Sequence, residues 1–133
     1  MIQEDYVSFE LAKKLKEKGF PQEGPGYSHA YSYPIDEPTL HQSTNWQLAC
    51  ITERDNTEEA VVIAPTFFVA QKWLREEKRI NIDIEVYCNC KFQMILRSLK
   101  DNVNDVVGDY TYTLYDTYEE ALEAGINNAL KLI

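Results

Sequence analysis

Between residues 80 and 88 apolar and polar side chains alternate strictly, with Ile80, Ile82, Ile84, Val86 and Cys88 set against Asn81, Asp83, Glu85 and Tyr87. A period of two sends the two sets to opposite faces of a strand, so the segment predicts a strand with one buried and one wetted face. Asn89-Cys90 then stands where a tight turn belongs, because Asn tolerates positive φ. The returning strand carries Phe92, Met94 and Leu96 on one side and Gln93, Ile95 and Arg97 on the other. After a polar loop from Lys100 to Gly108, Tyr110 to Tyr115 has the β-branched and aromatic content of a third strand. Together they predict an antiparallel meander.

Elsewhere the period lengthens to that of a helix. Leu11, Ala12 and Leu15 share one helical face, Ser8 precedes them as an N-cap and Gly19 follows as a left-handed stop, which predicts a helix within 8–19. Phe67, Ala70, Trp73 and Leu74 form an apolar stripe behind Thr66, predicting a helix over 66–78. Thr117-Tyr118-Glu119-Glu120 has the spacing of a capping box, and Tyr118, Leu122, Ile126, Ala129, Leu130 and Ile133 extend a stripe to the last residue. Gly125 interrupts that helix with its smallest residue, which implies close approach to a neighbouring element. Trp46 to Thr52 and Ala60 to Ile63 read as two further strands around a polar turn.

These elements predict an α+β fold in which an antiparallel sheet of about four to six strands carries its helices mainly on one face, with α-β-β-β-α order from residue 66 onward. At 133 residues the chain has the length of one domain, and a single α+β domain is expected over 1–133. The expected core contains Leu11, Leu15, Phe67, Ala70, Leu74, Ile82, Ile84, Val86, Met94, Leu96, Leu122, Ile126 and Ala129. Between 21 and 44 the pattern is irregular, rich in Pro and Tyr, and it carries both histidines. That composition suits an ordered loop or a pair of short edge strands.

Candidate chemistry gathers in this irregular segment. Tyr27, Tyr31 and Tyr33, with Trp46 beyond them, offer large contact area with a polar tip, the kind of side chain that interfaces favour. His29 and His41, with Asp36 and Glu37 between them, form the one grouping suited to acid-base work, since histidine titrates near neutrality and a carboxylate can orient it. No nucleophile elbow, phosphate-binding glycine loop or His-Glu-x-x-His motif accompanies them.

A formal charge of −9 repels phosphate backbones and moves nucleic acid down the list of partners. The sign is uneven, because residues 72–100 hold seven basic side chains against four acidic ones, leaving a strip of Lys72, Arg75, Arg79, Arg97 and Lys100 as a nucleic-acid alternative. Three cysteines, Cys50, Cys88 and Cys90, are too few and too odd in number for a disulfide scaffold, so reduced thiols are expected. Their spacing lacks the paired knuckles of structural zinc sites, which leaves Cys88 as a buried strand residue and Cys90 as a turn residue. No metal site and no cofactor is expected. No apolar run reaches the length of a membrane span and no signal pattern opens the chain, so no membrane association and a cytoplasmic location are expected.

Pro65-Thr66 with Trp73-Leu74-Arg75-Glu76, Thr117-Tyr118-Glu119-Glu120-Ala121-Leu122-Glu123, the closing Ala129-Leu130-Lys131-Leu132-Ile133, and Lys16-Glu17-Lys18-Gly19-Phe20 resemble a group of short uncharacterised proteins of gut anaerobes and their phages and mobile elements. The resemblance implies an α+β domain in a phage or mobile-element setting and carries no catalytic residue with it. The α-β-β-β-α order is also that of the double-stranded-RNA-binding domain, which uses basic side chains at the start of its last helix. Here that start holds Glu119, Glu120 and Glu123. The expectation is a small non-catalytic protein-binding or adaptor module that meets a protein partner, or a second copy as a homodimer, through the uncovered sheet face or the tyrosine-rich segment 27–46. An enzyme using His29 and His41 is the alternative.

Overall fold

A computed structural model describes residues 5–22, 29–32, 39–42, 61–102, 105–108 and 113–133. The chain divides into two compact units, Met1–Thr66 and Phe67–Ile133. The fold is α+β, with antiparallel strands throughout the described residues.

In the first unit helix α1, Phe9–Glu17, begins where the Ser8 hydroxyl accepts the Leu11 N–H at 3.3 Å. It ends as a Schellman turn: Gly19 at φ +95° donates to the Lys16 carbonyl at 3.1 Å and Phe20 donates to the Leu15 carbonyl at 2.9 Å. Phe20 and Leu15 are both buried, supplying the apolar contact that accompanies this motif. Strands β1 (His29–Ser32), β2 (Thr39–Gln42) and β3 (Val61–Ile63) form a sheet in the order β2-β1-β3. Val7, Leu11, Ala12 and Leu15 are buried, as are Val62, Ile63 and Ala64, and α1 packs against β3. The chain before α1 lies along the chain after β3, through a Tyr6–Thr66 bridge and a 3.0 Å bond from Val7 N–H to the Pro65 carbonyl. Gln22 ties the same region together, accepting from Ile63 N–H and donating to the Phe20 carbonyl, each at 3.0 Å.

In the second unit the elements follow the expected order. Helix α2 is Phe67–Glu77, β4 is Ile80–Tyr87, β5 is Lys91–Ser98, β6 is Asp105–Val106 and α3 is Tyr118–Leu130. Arg79, at φ +58°, turns the chain from α2 into β4 and bonds Leu99 through backbone and guanidinium. The register runs Ile82↔Leu96, Ile84↔Met94 and Val86↔Phe92. Ile80, Ile82, Met94 and Leu96 are buried on the one face against which α2 and α3 pack. Thr117 caps α3, accepting the Glu120 N–H at 3.1 Å. Gly125 lies so close to the sheet that a Cβ there would stand 2.7 Å from Ile82 Cγ2.

Several expectations change. Among the described residues six strands form two three-stranded sheets rather than one, and β1 is a central strand rather than an edge. The expected strand from Trp46 lies outside the described residues. The third strand of the meander enters at Asp105–Val106, inside what reads as a polar loop, and touches β5 again where Tyr115 bridges Phe92. The five positions from Arg97 back to Phe92 correspond to nine from Val106 to Tyr115, so this edge is out of register by four residues at its two ends. Asn89 and Cys90 both take left-handed φ, as the turn requires, but Cys88 is exposed in that turn instead of buried in the strand. Val86 is 70% exposed and is not a core residue, while Phe67 and Ile84 are only half-buried.

Candidate functional site

The structure draws attention to the hairpin end of β4 and β5. A strand advances about 3.3 Å per residue and a helix about 1.5 Å, so the eight residues of β4 outrun the eleven of α2 by roughly 10 Å. Helix α2 is tied to the start of β4 by a two-residue link, and α3 meets Phe92 near the hairpin end through Tyr118, its first residue. The uncovered length of strand leaves apolar side chains in water: Val86 at 70% exposure on the helix-bearing face and Tyr87 at 49% on the opposite one, with Leu114 at 40% and Tyr118 at 43% exposed to either side of the Tyr115 bridge to Phe92. Phe92, half-buried, is registered with Val86 and holds its ring edge-on to Tyr118 at 6.1 Å between centroids.

Charge around this cluster is predominantly acidic. Glu85, Asp116, Glu119 and Glu120 are exposed, and Asp116 is ion-paired with Lys91 at the start of β5. Farther along the face of the sheet that carries neither α2 nor α3, Asp83 accepts from Arg97 Nε at 3.1 Å and from Asn81 Nδ2 at 2.9 Å.

The backbone at this end is also open. Phe92 exchanges both of its backbone hydrogen bonds with Tyr115, at 2.8 Å each, and the Leu96 carbonyl accepts from Val107. Their register partners in β4, Val86 and Ile82, therefore direct N–H and C=O away from β5, and Ile84 shares this phase. The Ile82 carbonyl accepts from Gln71 Nε2 of α2 at 3.0 Å. No described residue bonds the outward groups of Ile84 or Val86, which leaves a short unpaired strand edge beside the exposed cluster.

Of the residues singled out by sequence, Tyr27, Tyr33, Asp36, Glu37 and Trp46 lie outside the described residues. His29, Tyr31 and His41 belong to β1 and β2, where His29 is registered with Gln42, His41 with Ala30, and Tyr31 with Leu40 and Val62. The basic strip does not gather on one face. Arg97 engages Asp83 on the helix-free side of the sheet, Lys72 and Arg75 ride on α2 on the other, and Arg79 bonds the Leu99 carbonyl at 3.3 Å. Cys88 and Cys90 are exposed free thiols at the turn. Among the described residues no three His, Cys, Asp or Glu side chains converge as metal ligands, and no helix is long and apolar enough to cross a membrane.

Sequence reasoning names the uncovered sheet face, on which Glu85 lies, but places Val86 in the core and misses the open end with Phe92, because alternation assigns faces without saying how far a helix covers them. The signal was present in lengths: an eleven-residue helix directly preceding an eight-residue strand cannot reach its end. The chain matches no protein-family model, no curated protein and no solved structure.

Proposed function

We propose that this protein is a small protein-binding module whose contact surface is the hairpin end of its second unit, built on Val86, Phe92 and Tyr118. The observation that carries this reading is the exposed apolar cluster, since apolar side chains gathered beside an aromatic pair and ringed by polar groups have the anatomy of a contact surface. Aromatic anchors at its centre suit it, because a few such side chains supply most of the energy of a typical interface. Binding to nucleic acid is disfavoured here, for Glu119 and Glu120 stand exposed at the start of α3 and like charge opposes a phosphate backbone.

The test compares two surfaces in one affinity capture. Wild-type protein is set beside Val86→Asp and beside a triple alanine variant at Tyr27, Tyr31 and Tyr33, with circular dichroism verifying the fold of each. A partner retained by the tyrosine variant and lost from Val86→Asp supports the hairpin end. A partner retained by Val86→Asp and lost from the tyrosine variant moves the interface to the irregular segment.

A further inference from the structure

Resting on that reading, we infer that the free edge of β4 at Ile84–Val86 takes up an extended segment of a partner protein as an added strand, and that the segment alternates apolar residues with Lys or Arg. Strand addition draws its affinity from main-chain hydrogen bonds and its specificity from alternate side chains. Both components are in place. Ile84 and Val86 present outward N–H and C=O groups that no described residue bonds, and Gln71 on the Ile82 carbonyl marks where the open stretch stops. A guest residue opposite Ile84 or Val86 lies on the same face as their side chains, where Val86 and Phe92 offer apolar surface. The guest residue between them falls on the other face, beside Glu85, which is exposed and makes no ion pair with any described residue. An apolar-basic-apolar triplet therefore matches the edge position by position.

A second copy of the chain fits poorly. Two β4 edges paired about a two-fold axis, so that Ile84 of one meets Val86 of the other, bring Glu85 against itself, and like charges directly opposite destabilise a strand pair. Glu119 and Glu120, exposed at the start of α3, add to the repulsion between copies and to the attraction of a basic segment.

The test is fluorescence anisotropy of a dye-labelled peptide alternating valine and lysine, titrated with the full chain. Controls are the same peptide with glutamate for lysine and the same peptide N-methylated along one edge. The lysine peptide is expected to bind saturably and the other two to bind negligibly. Glu85→Lys should weaken the lysine peptide about fivefold and admit the glutamate peptide, the size expected when one cross-strand charge pair is reversed. Equal binding of lysine and glutamate peptides overturns the basic segment as occupant, and equal binding of parent and N-methylated peptides overturns strand addition. If Val86→Asp abolishes binding while N-methylation does not, the apolar surface stands as the interface and only the added strand falls. Binding indifferent to Val86→Asp overturns both. A dimer in sedimentation that Val86→Asp dissolves identifies a second copy as the occupant and overturns the proposal, as does the absence of binding to any peptide by the folded chain.

Discussion

The two ends of the β4–β5 hairpin are made from similar residues and meet different fates. Near α2's exit, Ile80, Ile82 and Leu96 are buried beneath two helices, and Gly125 brings α3 within contact of the strand. At the turn, Val86 belongs to the same alternating set and faces water. Hydrophobicity alone does not separate the two positions. What separates them is the mismatch of rise between helix and strand, which fixes how much of a strand a following or preceding helix can cover.

The largest effect should come from the covered end. Leu96→Ala, at a site with no solvent exposure, is expected to lower stability by about 2–5 kcal/mol in urea unfolding, because it removes packed methyl groups and leaves a cavity. A loss as small as that of a surface substitution would mean that this end is not tightly packed. Next in size is Gly125→Ala. Alanine is the better helix former by about 1 kcal/mol, yet its Cβ would meet a β-branched methyl at 2.7 Å, and overpacking of this kind costs about 1–3 kcal/mol. A net loss of stability is expected, and a gain would show that α3 can lift off the sheet cheaply.

At the open end the signs and sizes differ. Cys90 occupies left-handed space at φ +57° in an exposed turn, so Cys90→Gly is expected to stabilise the protein by about 1 kcal/mol in the same unfolding experiment. Smallest of all is Val86→Asp, whose effect on stability is expected to stay within about 0.5 kcal/mol while binding is lost. A large destabilisation by Val86→Asp would erase the distinction between the two ends.

Local chemistry was the most legible part of this chain. Ser8, Thr117 and Gly19 each act on backbone groups within a few residues, so their roles could be read from adjacent sequence and recur in the structure. Asn89 at positive φ and Gly125 against Ile82 follow from single-residue properties in the same way. Features set by distant partners were not legible. Asp105–Val106 carries no strand pattern and pairs only because Arg97 and Ser98 offer an edge, and the bridge of Tyr6 to Thr66 joins segments with no common periodicity. The candidate surface was half legible: alternation named its residues, and only the three-dimensional reach of α2 and α3 decided which of them were left outside.

The contact between Gly125 and Ile82 also has a bearing on how such a chain can diverge. A helix residue whose missing side chain is filled by a strand methyl couples the two positions by volume. A gain of bulk at 125 is tolerable when position 82 shrinks, since the strand methyl is the one atom closer than ordinary contact. Among diverging copies of this sequence, residues 82 and 125 should therefore change as a compensating pair, bulk gained at 125 being matched by bulk lost at 82, while the alternation around them persists.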